Sequence, residues 1–327
     1  APMRRRSLAP SIALLALPFT RAHLQCAQSD LHVRITKKGK ILISRGKPSQ
    51  AQATERSAAH DRSPAHLLPA HPPHPLLQAL GIQTRAGQIK SSRKDKFHQI
   101  NQFLDIIAGL ESVRTAKGPF HVIDCGCGAA YLTFAAHQYL SRIDGLDPHT
   151  VGIDTNTELI GKCEALCDKL RYPQLTFEAH TIGEYRPTVR PRLVLSLHAC
   201  DTATDEALAL GVRAKAHVIL AAPCCQHELR EQLANASMHA MLRHGVLRSR
   251  QADLVTDAAR AALLRIAGYT CDVIEFVSPE HSGKNLMLRA ERRSSKPLPG
   301  AEEDYAAFRA AWQITPTLER LLNNPSK

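Results

Sequence analysis

The sequence predicts an α/β fold: a mostly parallel sheet with helices on both faces, an antiparallel C-terminal hairpin, and a small basic N-terminal module. Three observations carry that prediction. From residue 94 onward, short apolar runs alternate with helical patterns, the signature of successive β-α-β units. Two glycines, Gly126 and Gly128, fall between a strand and a helix, where an open α/β sheet holds its ligand. The charge is unevenly divided: 42 Lys/Arg against 30 Asp/Glu give a net +12 over 327 residues, yet residues 1–95 hold 16 of the bases and only four of the acids. The remainder of the chain is neutral overall.

At the start, Arg4-Arg5-Arg6 followed by 11–19 (SIALLALPF) has the outline of a secretory signal. The run is too short to span a bilayer, is broken by Pro18 and leads to His23 and Gln25 rather than to small residues, so it reads as a buried strand or helix of the N-terminal module. The chain opens on Ala-Pro and not on Met, as a fragment would. Residues 31–44 (LHVRITKKGKILIS) read as two short strands around a Lys-Lys-Gly-Lys turn. Residues 50–75, rich in Ala, His, Pro, Ser and Arg and without periodicity, read as a linker. The expected division is 1–85 for the basic module and linker, 86–295 for the α/β domain, and 296–327 for a tail with one short helix near 305–312. Nine cysteines, an odd number with several in apolar runs, point to reduced thiols in a cytosol-like compartment.

Within the α/β part, Phe97, Ile100, Phe103, Leu104 and Ile107 form the apolar stripe of a helix ending before Gly109. Residues 120–124 (FHVID) are the first strand and 129–140 the helix after it. Residues 151–154 (VGID) are the second strand, followed by a helix over 157–170. Residues 175–178, 193–197 (LVLSL) and 218–222 (VILAA) are three more strands. The last two, 269–277 and 285–291, are joined by a Pro/Gly loop and pair as a hairpin.

The first strand ends in Asp124-Cys125-Gly126-Cys127-Gly128. A dinucleotide loop needs a third glycine, and that position holds Tyr131. A carboxylate ahead of the first glycine repels a pyrophosphate but attracts an ammonium group. Asp154, ending the second strand, is placed to accept hydrogen bonds from two ribose hydroxyls. Acid-x-Gly-x-Gly followed by that acid therefore suits S-adenosylmethionine better than a nicotinamide cofactor.

The segments FHVIDCGCGAAYLTFA, VGIDTNTELI, LVLSLHACDTATDEAL and VILAAPCCQHEL resemble class I S-adenosylmethionine-dependent methyltransferases, and more narrowly the group called methyltransferase domain 32. KDKFHQINQFLDII upstream, and DLVTDAARAALLRIAGY and EHSGKNLMLRAER downstream, extend the resemblance over roughly 90–293. It implies a Rossmann-like class I methyltransferase sheet. It also implies a cofactor site in which Asp124, Gly126, Gly128 and Tyr131 surround the methionine portion. Asp154 would bind the ribose, Glu178 would flank the adenine, and Ser196 would stand nearby. Ala129-Ala130 occupies the place of a Lys-Gly-like pair in many relatives. Lys94, Lys96, Gln99 and Asn101 lie on a helix resembling the family's lid, or else form a solvated charged face. Lys284 and Asn285 would touch substrate phosphates or cap the hairpin.

Two clusters end neighbouring strands: Ser196-Leu197-His198-Ala199-Cys200-Asp201 and Ala222-Pro223-Cys224-Cys225-Gln226-His227. Four roles compete for them. Thiolates and imidazoles are the usual zinc ligands, but adjacent cysteines rarely both reach one tetrahedral ion, and the expectation is no metal. Pro223-Cys224 is reminiscent of the nucleophile of cytosine C5 methyltransferases, without the second Pro-Cys after the fourth strand. His198, Asp201 or His227 would serve as a general base, and Cys-Cys-Gln-His partly resembles the Cys-Cys-His-His of tRNA ribose methyltransferases. The fourth role is structural, with small buried cysteines and satisfied loop histidines. The candidate catalytic set is His198, Asp201, Cys224 and His227. An Asp/Asn-Pro-Pro-aromatic motif is missing after the fourth strand, which counts against methylation of an exocyclic amine.

The expectation is an S-adenosylmethionine-dependent methyltransferase acting on RNA, tRNA or rRNA, reached through the basic N-terminal module, in the cytoplasm and away from membranes. The alternatives are a non-catalytic RNA-binding scaffold with a degenerate domain, and a protein or small-molecule methyltransferase.

Overall fold

The computed structural model describes residues 21–24, 30–36, 40–46, 66–197, 199–233, 238–276 and 286–324. The chain divides into two units, Ala1–Pro64 and Ala65–Lys327. In the first, β1 (Arg21–Leu24), β2 (Asp30–Ile35) and β3 (Ile41–Gly46) form an antiparallel sheet in that order. β2 and β3 are the strands expected on either side of the Lys-Lys-Gly-Lys turn. They are closed by Thr36, whose backbone N–H donates to the Lys40 carbonyl at 2.9 Å. Residues 1–20, with the apolar run at 11–19, Cys26, residues 37–39 of the turn, and 47–65, which include most of the linker, lie outside the described residues.

The second unit opens with α1 (Pro75–Ala79) and α2 (Lys94–Gly109), followed by the short α3 (Glu111–Arg114). All five stripe residues of α2 are buried, and Asn101 is buried with them. Then come β4 (Gly118–Cys125), α4 (Tyr131–Leu140), β5 (Leu146–Asp154), α5 (Thr157–Leu170), β6 (Leu175–Ala179), β7 (Leu193–Ser196), α6 (Thr202–Arg213) and β8 (Val218–Ala221). After α7 (His239–Leu242) and the long α8 (Gly245–Ile266), the chain closes with β9 (Tyr269–Glu275), β10 (Leu286–Arg292), α9 (Ala301–Trp312) and α10 (Thr317–Asn323).

The seven strands run in the order β6-β5-β4-β7-β8-β10-β9. β4 to β8 pair in parallel, and β10 is antiparallel to both β8 and β9. The chain builds outward from β4 in one direction and then returns to add β7 on its other side. The crevice between β4 and β7, at the strands' carboxyl ends, is the point where strand order reverses and a ligand has room to enter. Each face of the sheet carries its own core. Val122, Leu193 and Leu195 pack on one face with Phe97, Phe103 and Phe134. Ile123, Cys125 and Val194 pack on the other with Leu208, Val255 and Leu264.

Two stretches assigned by sequence to linker and tail belong to this unit. Leu68, Leu76, Leu77 and Ile82 are buried in the first core, and the Leu68 backbone exchanges hydrogen bonds with the Asn101 side chain. Four apolar residues spread over fifteen positions have no period, so composition hid their burial. At the other end, Tyr305, Ile314 and Leu318 pack into the second core, and α10 adds a second helix to the one expected there. No helix among the described residues is long and apolar enough to cross a membrane.

Candidate active site

The loop after β4 is built on backbone that an ordinary residue resists. Gly126 and Gly128 have φ of +70° and +55°, the left-handed region where a Cβ is penalised. The N–H groups of Gly126 and Cys127 both donate to the Ile153 carbonyl at 2.8 and 3.0 Å, so the loop is held against the end of β5. A Cβ on Gly126 would stand 3.4 Å from the Ala199 Cβ, whereas a Cβ on Gly128 would meet nothing within 4 Å. Ala130 also adopts a left-handed conformation, φ +53°. That explains why the resemblance implies a glycine there: Ala130 bears the strain that the glycine avoids.

Asp124 is 3% exposed. Its Oδ2 accepts from the Thr133 hydroxyl at 2.5 Å, while its Oδ1 is buried without a hydrogen-bond partner. Burial pushes its carboxyl up to about 6, against the pull of the Thr133 hydrogen bond and with a smaller push from Asp154. Asp154 anchors the loop: Oδ2 accepts from the Gly128 N–H at 2.8 Å and Oδ1 from the Asn156 N–H at 2.9 Å. Each of its oxygens keeps a second lone pair. Glu178, half-buried at the end of β6, lies beside Asp154 through the register Ile153↔Glu178, with the His180 ring 3.8 Å away. Tyr131 completes one wall: its hydroxyl donates to Gln99 Oε1 at 2.8 Å, and the Lys96 ammonium lies 4.4 Å from its ring centre. Lys96 and Gln99 thus join the loop, whereas Asn101 faces the core and holds the Leu68 segment. Lys284 and Asn285 lie outside the described residues.

An orphaned buried carboxylate oxygen, a glycine whose missing Cβ opens on free space, and an acid with spare lone pairs fit the ammonium, methionine chain and ribose of S-adenosylmethionine. Asp124, Gly126, Gly128 and Asp154 are the residues that would hold it. Ser196 stands apart from them. Asp124 pairs with Leu195 across the sheet, so the next residue, Ser196, points to the opposite face, that of Val194 and Cys125. There it is fully buried with its Oγ unpartnered.

The second half of the site is a pair of crossing loops. His198 lies outside the described residues. Asp201 has φ +51° and ψ −123°, a costly conformation for a residue with a side chain. It is over-determined by its bonds: Oδ1 accepts from the His227 and Glu228 N–H groups at 2.8 and 3.1 Å, and its own N–H donates to the Cys225 carbonyl at 3.1 Å. Asp201 therefore positions the 224–228 loop, and His227 is left exposed upon it. The sulfurs of Cys200 and Cys224 approach to 3.0 Å and those of Cys224 and Cys225 to 3.6 Å. The thiols are pushed up, Cys200 chiefly by its hydrogen bond with Cys224, and Cys224 and Cys225 by burial.

Beneath these loops lies a group that sequence patterning did not single out. Arg260 of α8, 1% exposed, forks onto Asp205 at 2.9 and 2.7 Å, reaches Asp257 at 3.1 Å and donates to the Asp201 carbonyl at 2.8 Å. Gln226 donates to the other Asp257 oxygen at 2.9 Å. The available signal was the presence of three ionisable residues on the otherwise mostly apolar buried faces of two helices. Cys163 was missed likewise; its thiol donates to the Gly128 carbonyl at 3.7 Å.

With this geometry in place, comparison with known proteins shows what the chain is similar to. Residues 95–232 match a family model described as a methyltransferase domain. That stretch, somewhat under half of the chain, is similar to a methyltransferase domain. No curated protein matches the sequence. Similar solved structures include magnesium protoporphyrin IX methyltransferase from Synechocystis PCC 6803 with bound SAH. It is 15% identical, with a TM-score of 0.42, covering 63% of this chain and 89% of that one. An rRNA methylase from Streptococcus thermophilus is 10% identical, with a TM-score of 0.38 and coverage of 62% and 98%. Precorrin-6y C5,15-methyltransferase from Geobacter metallireducens GS-15 is 13% identical, with a TM-score of 0.37 and coverage of 64% and 93%.

Proposed function

We propose that the protein methylates RNA. The observation that carries this reading is the segregation of charge: the entire +12 resides in residues 1–95, and the rest of the chain is neutral. A cofactor fold needs no such excess, whereas a polyanionic acceptor rewards it through counterion release. An odd number of cysteines with several in apolar runs supports a reducing compartment, and the reading places the reaction in the cytoplasm.

S-adenosylmethionine, when bound, supplies an electrophilic methyl group whose sulfonium charge is lost as transfer proceeds. The chain's own part is positioning and proton removal. Asp124 would meet the ammonium and Asp154 the ribose hydroxyls, and Tyr131 with Gln99 and Lys96 would wall off one side. Asp201 and Arg260 fix the loop that presents His227, the exposed imidazole assigned to take the acceptor's proton. Imidazole is the side chain most often used as a general base.

The test is incubation of the purified chain with methyl-labelled cofactor and total RNA, and separately with total protein. Label in the RNA fraction, falling steeply as salt is raised, is the expected result. Label in protein or in small molecules refutes the RNA reading, and no transfer with cofactor binding intact points to the scaffold alternative.

A further inference from the structure

We infer that Cys200, Cys224 and Cys225 form a site for a thiophilic divalent cation, zinc, with a fourth coordination position open to the acceptor side of the cofactor loop. The sequence objection to a metal was that adjacent cysteines do not both reach one ion. The loops remove it. The three sulfurs lie within 4.8 Å of one another, with two edges of 3.0 and 3.6 Å. A tetrahedral ion bound to sulfur at about 2.3 Å requires edges of about 3.8 Å, so the two short edges would open by roughly 0.8 and 0.2 Å to enclose it.

Two further features separate this cluster from buried packing cysteines. Cys200 and Cys224 are exposed and Cys225 is half-buried, whereas Cys125, Cys127, Cys163 and Cys167 are buried. The ligands also come from two loops already clamped together: the Asp201 N–H donates to the Cys225 carbonyl, and Asp201 Oδ1 binds the His227 and Glu228 N–H groups. The site is thus pre-organised before any ion arrives, which is what separates a designed metal site from a chance encounter of thiols.

Its place is informative as well. Ala199, the neighbour of Cys200, sits against Gly126 of the cofactor loop, its Cβ 3.4 Å from where a Gly126 Cβ would be. Among the described residues no fourth ligand joins the three thiols, and three protein ligands with an open position are the arrangement of a catalytic rather than a structural zinc. An ion there would bind and polarise a donor atom of the acceptor beside the cofactor loop. Binding releases the three thiol protons to solvent, and no oxidant or reductant is needed.

The experiment uses the full chain, purified under reducing conditions and dialysed against trace zinc. Zinc per chain is measured by mass spectrometry of the metal, and Co²⁺ is added to the metal-free protein as a spectroscopic probe. The expected result is one zinc per chain and an intense thiolate-to-cobalt absorption. Both should weaken at least ~100-fold in affinity in Cys200→Ser, Cys224→Ser and Cys225→Ser, more than loss of an outer partner causes. Cys271→Ser, on β9 and outside the cluster, should bind as wild type. Circular dichroism confirms that each variant folds, and cofactor titration of the same samples separates failure of the metal site from failure of the methyltransferase reading. Substoichiometric zinc, a cobalt spectrum without the thiolate band, or unchanged affinity in any one of the three variants overturns the proposal.

Discussion

Replacing Arg260 by Met should destabilise the fold by about 3–5 kcal/mol at pH 8, because it strands two buried carboxylates. Asp205 and Asp257 are 1% and 4% exposed, and Arg260 makes three hydrogen bonds to them and one to the Asp201 carbonyl. Burial already pushes Asp257 up to about 6 with the guanidinium in place. Without it the carboxyl rises further, so the native state binds a proton that the unfolded chain releases. The penalty is therefore largest at high pH and shrinks as pH falls through the raised value. For a domain of this size about 4 kcal/mol lowers Tm by roughly 10 °C. Urea unfolding followed by circular dichroism at pH 8 and pH 5 reads the penalty and its pH dependence, and thermal unfolding reads the Tm shift. Arg260→Lys, which keeps the charge but loses the planar fork, should fall between Met and wild type. An Arg260→Met protein within about 1 kcal/mol of wild type at pH 8, or one equally destabilised at both pH values, refutes the role given to this group.

Other perturbations separate positioning from chemistry. Asp201→Ala should lose about 1–3 kcal/mol by leaving the His227 and Glu228 N–H groups unpaired. Asp201→Asn keeps an acceptor and tolerates positive φ, so its kcat should stay within about threefold of wild type; a fall of ~100-fold or more would instead mark Asp201 as the general base. Asp124→Asn should raise stability at pH 8 by about 1–3 kcal/mol, since a carboxyl raised from the usual range to about 6 destabilises the fold as pH climbs from about 4 to 6. The gain should vanish near pH 4, and cofactor affinity should fall at every pH, as urea titration and calorimetry will show. Ala130→Gly should stabilise by roughly 0.5–1 kcal/mol in the same unfolding assay by relieving the left-handed strain.

The parts of the fold that sequence revealed are those where one local period dominates. The stripe on α2, the apolar runs of β4 to β8 and the closing hairpin fell within a few residues of their expected places, because burial on one or both faces imposes 3.6-residue or continuous patterns. The segment around Leu68 and the helix α10 were illegible for the opposite reason: few apolar residues, spread irregularly, find burial only against a partner distant in sequence. In the site, the acid-glycine loop and Asp154 could be read because each sits at a strand end, where topology alone fixes its direction. Ser196 shows the limit of that logic, since one step along a strand reverses the face. The convergence of Cys200 with Cys224 and Cys225, and the fork of Arg260 beneath them, depend on loop crossings between residues 24 to 59 positions apart, which no periodicity encodes.

The central claim is that the loop after β4, together with Asp154, binds S-adenosylmethionine. Calorimetric titration of that cofactor into the full chain and into Asp154→Ala tests it most directly. The expected result is one saturable site per chain in the wild type, weakened by about 10–100-fold in the variant, in line with losing charge-assisted hydrogen bonds of about 1.5–3 kcal/mol. No binding up to millimolar cofactor, or equal affinity in a folded Asp154→Ala protein, would contradict it.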